Sequence, residues 1–152
     1  MTGVCIGLIS DTHGLVRAAA LEAMDWCDAI IHAGDVGSAD VLRALQRIAP
    51  VYAICGNVDR GAWAGALPDT LELVLAGARI RVLHDLKQLE GTTPNVDVVV
   101  AGHSHVPQLQ QKAGILFINP GSAGPRRFHL PVTVGYLHVV DGAVRGELRA
   151  LG

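Results

Sequence analysis

Residues 4–13 read VCIGLISDTH, an apolar run from Val4 to Ser10 that ends in Asp11, Thr12 and His13. A run this short that stops at polar turn residues reads as a strand buried on both faces. The phrase recurs twice. Ala29 to Ala33 runs into Gly34-Asp35, and Val51 to Cys55 runs into Gly56-Asn57. Between these runs the apolar spacing turns helical. Val16, Ala20, Leu21 and Met24 share one helix face over residues 16–27. Val41, Leu42 and Leu45 share another, with Ser38 placed to cap that helix and Pro50 to end it. Strand, helix, strand, helix, strand predicts a parallel sheet covered by helices.

The remainder changes character. Residues 70–75 and 79–83 flank the turn signal Gly77; 109–112 and 115–118 flank Ala113-Gly114; 132–140 and 143–149 flank Asp141-Gly142, a strong type I′ hairpin signal. Residues 96–101 form one more apolar strand, stopped by Gly102. A chain that begins βαβαβ and finishes mostly in strands predicts a two-sheet mixed α/β sandwich flanked by helices, built as a single domain over residues 1–152.

Composition narrows the function classes. Half of the 152 residues are hydrophobic and 17% are charged, against about 25% charged in ordinary domains. That balance favours a well-filled core and makes a homodimer one expected assembly. Net charge is −2, and the densest positive spot is Arg126-Arg127, so an extended nucleic-acid surface is not expected. Cys5, Cys27 and Cys55 sit in apolar stretches without paired spacing and read as reduced core residues. The apolar run near the N-terminus ends at Asp11, too short for a signal or a membrane span. The expectation is a cytoplasmic protein without membrane contact.

The functional signal lies in where polar side chains fall. Five predicted strands run straight into metal-capable groups: Asp11 and His13, Asp35, Asn57, His84, then His103 and His105. Taken singly, each has a plainer explanation. Asp-x-His can cap a helix, Gly-Asp and Gly-Asn are common turns, and His84 can be a structural histidine. Gly102-His103-Ser104-His105 is the sharpest element, because two histidines one residue apart are costly to bury without a purpose. Ligands of such sheets bind outside the carboxyl ends of strands, and all seven side chains fall there. Two divalent ions about 3.5–4 Å apart repel each other, so a bridging anion is required. Asp35, alone after Gly34 on a central strand, is the candidate bridge. Imidazole with carboxylate and amide oxygen, and no thiolate, suits manganese, iron, zinc or nickel, with manganese favoured. Gly14, Gly34, Gly56 and Gly102 adjoin candidate ligands, where a missing Cβ permits tight turns and close approach.

This ordered set resembles the calcineurin-like metallophosphoesterase superfamily, in particular its small single-domain phosphodiesterase branch, which is related to the retromer scaffold subunit. The match consists of Asp-x-His at 11–13, Gly-Asp at 34–35, Gly-Asn-x-Asp at 56–59, His84 and Gly-His-Ser-His at 102–105, with Asn119-Pro-Gly-Ser122 also similar to the branch. The resemblance implies a four-layer α/β/β/α fold. It implies that Asp11, His13, Asp35 and His105 hold one divalent ion, and that Asp35, Asn57, His84 and His103 hold a second. The chain departs from the superfamily pattern at three places. Val58 replaces the histidine that often follows Gly-Asn, Val36-Gly37-Ser38 follows Gly-Asp, and Asp85 follows His84 where the branch usually has glycine.

The expected activity is hydrolysis of a small phosphoester, most readily a phosphodiester, by in-line attack of a hydroxide bridging two ions. Asp35, Asn57 and His103 are the candidate catalytic residues, and Asp59 could offer a further carboxylate. His32 is either a supporting partner of the ligands or a core residue. Asn119 reads first as a turn former, while Arg126 or Arg127 could reach a substrate phosphate. His129 and His138 have no expected role. The rival classes are a non-catalytic metal-binding scaffold of the same fold and a mononuclear hydrolase. A dinucleotide-binding dehydrogenase is disfavoured, since no G-x-G-x-x-G follows the first strand.

Overall fold

The computed structural model describes residues 3–89, 95–126 and 129–151; Arg127 lies outside them. The opening alternation folds as β1 (Val4–Ile9), α1 (Ala18–Met24), β2 (Ala29–His32), α2 (Ala39–Gln46) and β3 (Val51–Ala53). Next come β4 (Thr70–Leu75), β5 (Ala78–Leu83), β6 (Val98–Val100), β7 (Gln108–Lys112), β8 (Ile115–Asn119), β9 (Thr133–Val140) and β10 (Ala143–Ala150). Two short 3-10 turns, Ala62–Ala66 and Leu86–Leu89, join them.

These strands make two five-stranded sheets, ordered β10-β9-β1-β2-β3 and β4-β5-β6-β8-β7. In the first, β1, β2 and β3 are parallel and the β9-β10 hairpin adds antiparallel to β1. In the second, β5, β6 and β8 are parallel and β4 and β7 close the edges antiparallel. All three hairpins turn through two residues at positive φ: Ala76-Gly77, Ala113-Gly114 and Asp141-Gly142. That geometry matches the twist of the flanking strands.

The period of two in each strand builds the layers. Ile6, Leu8, Ala29 and Ile31 of the first sheet meet Ile80, Val82, Val98, Val100, Leu116 and Ile118 of the second in one apolar layer. The alternate residues Cys5, Ile9, Ile30, Val134 and Tyr136 turn outward and bury Ala20, Ala23, Met24, Val41 and Leu45 of the helices. The outer face of the second sheet carries a smaller cluster of Leu83, Val99, Ala101 and Ile115, with Leu89, Val96 and Phe117 against it. Both α-helices therefore cover the first sheet, and the 3-10 turn at Leu86–Leu89 lies over the second.

Helix α1 is shorter than its apolar spacing predicts. Val16 is 37% exposed, and Arg17 stays extended while its guanidinium donates to the Gly124 carbonyl at 3.1–3.2 Å. A tertiary hydrogen bond thus holds the chain out of the helix until Ala18. Ser38 heads α2 as expected, although its hydroxyl makes no cap bond. Cys5 and Cys27 are buried with their sulfurs 3.7 Å apart as free thiols. No helix among the described residues is long and apolar enough to cross a membrane.

Gly7 lets α1 approach β1, since a Cβ there would overlap Met24 Sδ and press on Cys27 Sγ. Gly7→Ala is expected to destabilise the fold by about 1–3 kcal/mol through overpacking. Gly65→Ala, whose Cβ would meet nothing within 4 Å, serves as the control. Urea unfolding of both variants against wild type checks this.

Candidate metal centre

The carboxyl ends of β1, β2, β3, β5 and β6 open onto one rim, and the candidate ligands sit in the loops just beyond them. Two triads form there. Asp11, His13 and His105 each present a ligand-capable atom, and these atoms lie within 4.8 Å of one another; so do those of Asp35, His84 and His103. Asp35 Oδ2 lies between the triads, 3.0 Å from His84 Nε2 and 3.8 Å from His13 Nε2. Asn57 occupies the exposed turn after β3, and the following N–H, of Val58, donates to Asp35 Oδ1 at 3.0 Å.

The backbone at this rim is under strain. Asp11, His13, Asp35, His103 and His105 all have φ between 48° and 72°, and the other non-glycine residues at positive φ among the described residues are the hairpin residues Ala76, Ala113 and Asp141. Left-handed conformations cost a side-chain-bearing residue roughly 1–2 kcal/mol each. They persist where the surroundings over-determine them, and they cluster at functional sites.

Buried hydrogen bonds do the determining. Asp59 accepts from the N–H groups of Val36, Gly37 and Gly56 at 2.8–3.1 Å, tying the loop after β2 to the turn after β3. Three of its acceptor positions are thus taken by backbone, which makes Asp59 a brace of these loops. His32 settles as a positioning residue. Thr12 Oγ1 donates to the Val36 carbonyl, so it accepts from His32 Nε2–H at 2.9 Å, while His32 Nδ1 accepts from the Gly34 N–H. Both ring nitrogens are used by a neutral imidazole. Burial agrees, lowering the His32 pKa to about 4. Asn119, at the end of β8, combines two roles. Its Oδ1 accepts from the Gly121 N–H as a turn former, and its Nδ2 donates to the Gly102 carbonyl and Ser104 Oγ, bracing the histidine loop.

Sequence reasoning missed Ser10 and Ser122. Ser10 donates to Asp11 Oδ2 at 2.9 Å, and Ser122 donates to the Asp11 carbonyl at 3.0 Å. The sequence trace of Ser10 is its place at the end of an apolar strand, and that of Ser122 is the Asn119-Pro-Gly-Ser122 segment, neither of which records the partner. Close packing explains two of the glycines: a Cβ on Gly56 would overlap Asp35, and one on Gly102 would overlap Ser10 Oγ. Arg126 borders a different cavity, beside Arg17 and Leu151. His138 pairs with Glu147 at 2.9 Å, far along the β9-β10 hairpin.

The donor set fits divalent cations. Ligand atoms on one such ion stand about 3.0–3.5 Å apart, given bonds of about 2.0–2.2 Å. His13 Nε2 to His105 Nε2 is 3.4 Å, and His105 Nε2 to Asp11 Oδ1 is 3.6 Å. Asp11 Oδ1 is buried yet accepts no hydrogen bond among the described residues, an arrangement a cation would satisfy. His84 Nδ1 donates to the Ala33 carbonyl at 2.8 Å, which turns Nε2 toward two carboxylates. Burial raises the Asp11 carboxyl to about 7, aided by the charge of Asp35 and opposed by His84 and Ser10. Burial pushes Asp35 up as well, but hydrogen bonds from His84 and the Val58 N–H, with the charges of His84 and His13, hold it well below the carboxylate range. For His84, burial lowers the pKa, and its bonds to Asp35 and Ala33 more than reverse this.

The profile of the calcineurin-like phosphoesterase superfamily domain matches residues 4–142. The chain belongs to this superfamily. A probable metallophosphoesterase of Methanothermobacter thermautotrophicus is 34% identical over 131 residues, covering 77% of this chain and 76% of that protein. Solved structures with the same fold include a novel archaeal phosphodiesterase, at TM-score 0.77 and 23% identity over 95% of this chain and 99% of that one. Vacuolar protein sorting 29 from Cryptosporidium parvum matches at TM-score 0.78 and 19% identity over 98% of each chain. The superfamily uses divalent metals, and the two triads are this chain's candidate positions for them.

Two outcomes are expected. Asp59→Ala leaves three backbone donors without their acceptor and should cost about 2–4 kcal/mol, read as a lowered urea midpoint. In chelator, wild type should lose stability relative to Asp11→Asn as the pH rises from about 4 to 7. The unfolded Asp11 ionises near 3.8, whereas the folded one holds its proton to about 7. Melting temperatures of both proteins across that range check the sign.

Proposed function

We propose that this chain is a dinuclear-metal-dependent phosphoesterase that acts preferentially on phosphodiesters. The observation that carries the reading is Asp35 standing between the triads, with one carboxylate oxygen facing a histidine of each. Asp11, His13 and His105 with Asp35 would hold one ion; Asp35, Asn57, His84 and His103 would hold the other. Bound there, two divalent cations activate water and withdraw charge from phosphoryl oxygens.

The chain's own residues supply orientation. Asp35 keeps Oδ1 on the Val58 N–H, which fixes the direction of Oδ2. His84 is locked into one tautomer by the Ala33 carbonyl. His103, 44% exposed at its side chain, and Asn57, in its exposed turn, stand at the mouth where a phosphoryl group would enter. Val58 is 48% exposed beside them and carries neither a proton nor a charge. Without a proton donor at Val58, esters with good leaving groups should be turned over best, and the likeness to the small phosphodiesterase branch supports a diester as the preferred substrate. Manganese is the first metal to test, because the donor set is imidazole, carboxylate and amide.

The assay uses protein stripped by chelator and reloaded with manganese, iron, zinc or nickel. Hydrolysis of bis(4-nitrophenyl) phosphate should be metal-dependent and faster than that of 4-nitrophenyl phosphate. Asp35→Asn and His103→Ala should each reduce it by on the order of 10²–10³-fold. A preference for the monoester contradicts the diester assignment. Bound metal with no turnover of any ester, together with a stable protein partner, favours a scaffold role.

A further inference from the structure

A cleft of about 440 Å³ lies on the outer face of the second sheet, and its lining runs from β7 and β8 to His103 and Asp85. Its volume falls within the range of small-molecule sites. Val99 and Phe117 sit side by side on its floor, paired between β6 and β8. Gln110 stands opposite Phe117 across the β7-β8 ladder, and Gln108 stands opposite Asn119. The floor is therefore apolar and aromatic, and one wall presents amides that can both donate and accept. Lys87 and Lys112 also line it, against Asp85 as the single acid among the described lining residues.

The end nearest the metal centre is held rigidly. Asp85 Oδ1 accepts from the Lys87 N–H at 3.1 Å, and Gln88 Oε1 accepts from the Asp85 N–H at 3.2 Å, a reciprocal cap on the 3-10 turn. Asp85 Oδ2 is then left 3.8 Å from His103 Nε2. This residue, where the branch usually has glycine, thus forms the sill between the candidate centre and the cleft. Phe117 lies two residues short of Asn119, at the end of β8, or about 6.6 Å along the strand. Asn119 braces the loop that carries His103 through the Gly102 carbonyl and Ser104 Oγ, so a planar group resting on Phe117 would need a spacer to reach that end of the cleft.

We propose that this cleft seats the retained arm of the phosphodiester, and that the arm is a nucleoside. A nucleobase has apolar faces for Phe117 and Val99, edge atoms for the glutamine amides, and a sugar as the spacer to phosphorus. The inference rests on the phosphoesterase reading and adds the substrate class to it.

The test compares two diesters with the same leaving group, thymidine 5′-(4-nitrophenyl phosphate) and methyl 4-nitrophenyl phosphate. The manganese-loaded protein should favour the thymidine diester at least about tenfold in kcat/KM, mainly through KM. Phe117→Leu and Gln110→Trp, checked for folding by thermal melts, should bring that ratio toward one. A ratio near one in wild type, or a preference that neither variant alters, overturns the inference while leaving the hydrolase reading intact. If neither diester is hydrolysed with any metal, the hydrolase reading fails, and thymidine titration followed by amide NMR decides the cleft separately. Shifts at Val99, Gln110 and Phe117 support a nucleoside site, and no shifts at millimolar thymidine overturn it.

Discussion

Two carboxylates, Asp11 and Asp35, are buried at one rim of the sandwich with the nitrogens of His13, His84 and His105 turned toward them. Burying one carboxylate is costly and burying two close together more so. The protein alone relieves this only in part, by leaving Asp11 with a raised pKa and drawing Asp35 onto His84. Divalent cations held there would relieve it further, because they would replace lone pairs facing lone pairs with shared positive charge. The arrangement is poor as a hydrophobic core and good as a cation cradle, and the surrounding structure follows from keeping it in place.

Keeping it in place requires backbone that would not otherwise adopt these angles. Five candidate ligands sit at positive φ, a combined strain of up to several kcal/mol that the tolerance of Asp and His for this region offsets only in part. The remaining compensation is tertiary. Asp59, His32, Thr12, Ser10, Ser122 and Asn119 spend their polar groups on the loops that carry the ligands. Their work is to convert the rigidity of ten strands into the aim of a few side chains.

The two sheets serve the rim unequally. The first is covered by both α-helices, and its outer face is filled by Met24, Leu45 and Tyr136. The outer face of the second is covered more thinly, which leaves room beside His103 for the cleft over Val99 and Phe117. On β8 the faces divide the work, since Phe117 faces the cleft while Leu116 and Ile118 on the opposite face fill the core.

By itself, the sequence determined the elements and the order in which they deliver chemistry. Apolar runs ending in Asp11, Asp35, Asn57, His84 and His103 mark strand ends, and two-residue glycine turns mark the hairpins, because both signals are local and depend on period and φ alone. The superfamily was legible for the same reason, in motifs that lie within single loops. Only the tertiary structure decided that α1 starts at Ala18, because the Arg17 bond to Gly124 joins residues far apart in the chain. It alone showed that Asp59 braces backbone donors and that His32 is a neutral strut. It also placed Asp85 against His103 at the sill of a cleft. Each of these outcomes depends on which distant atom comes within about 3–4 Å of a polar group, and neither the period of a strand nor the composition of a loop records that distance.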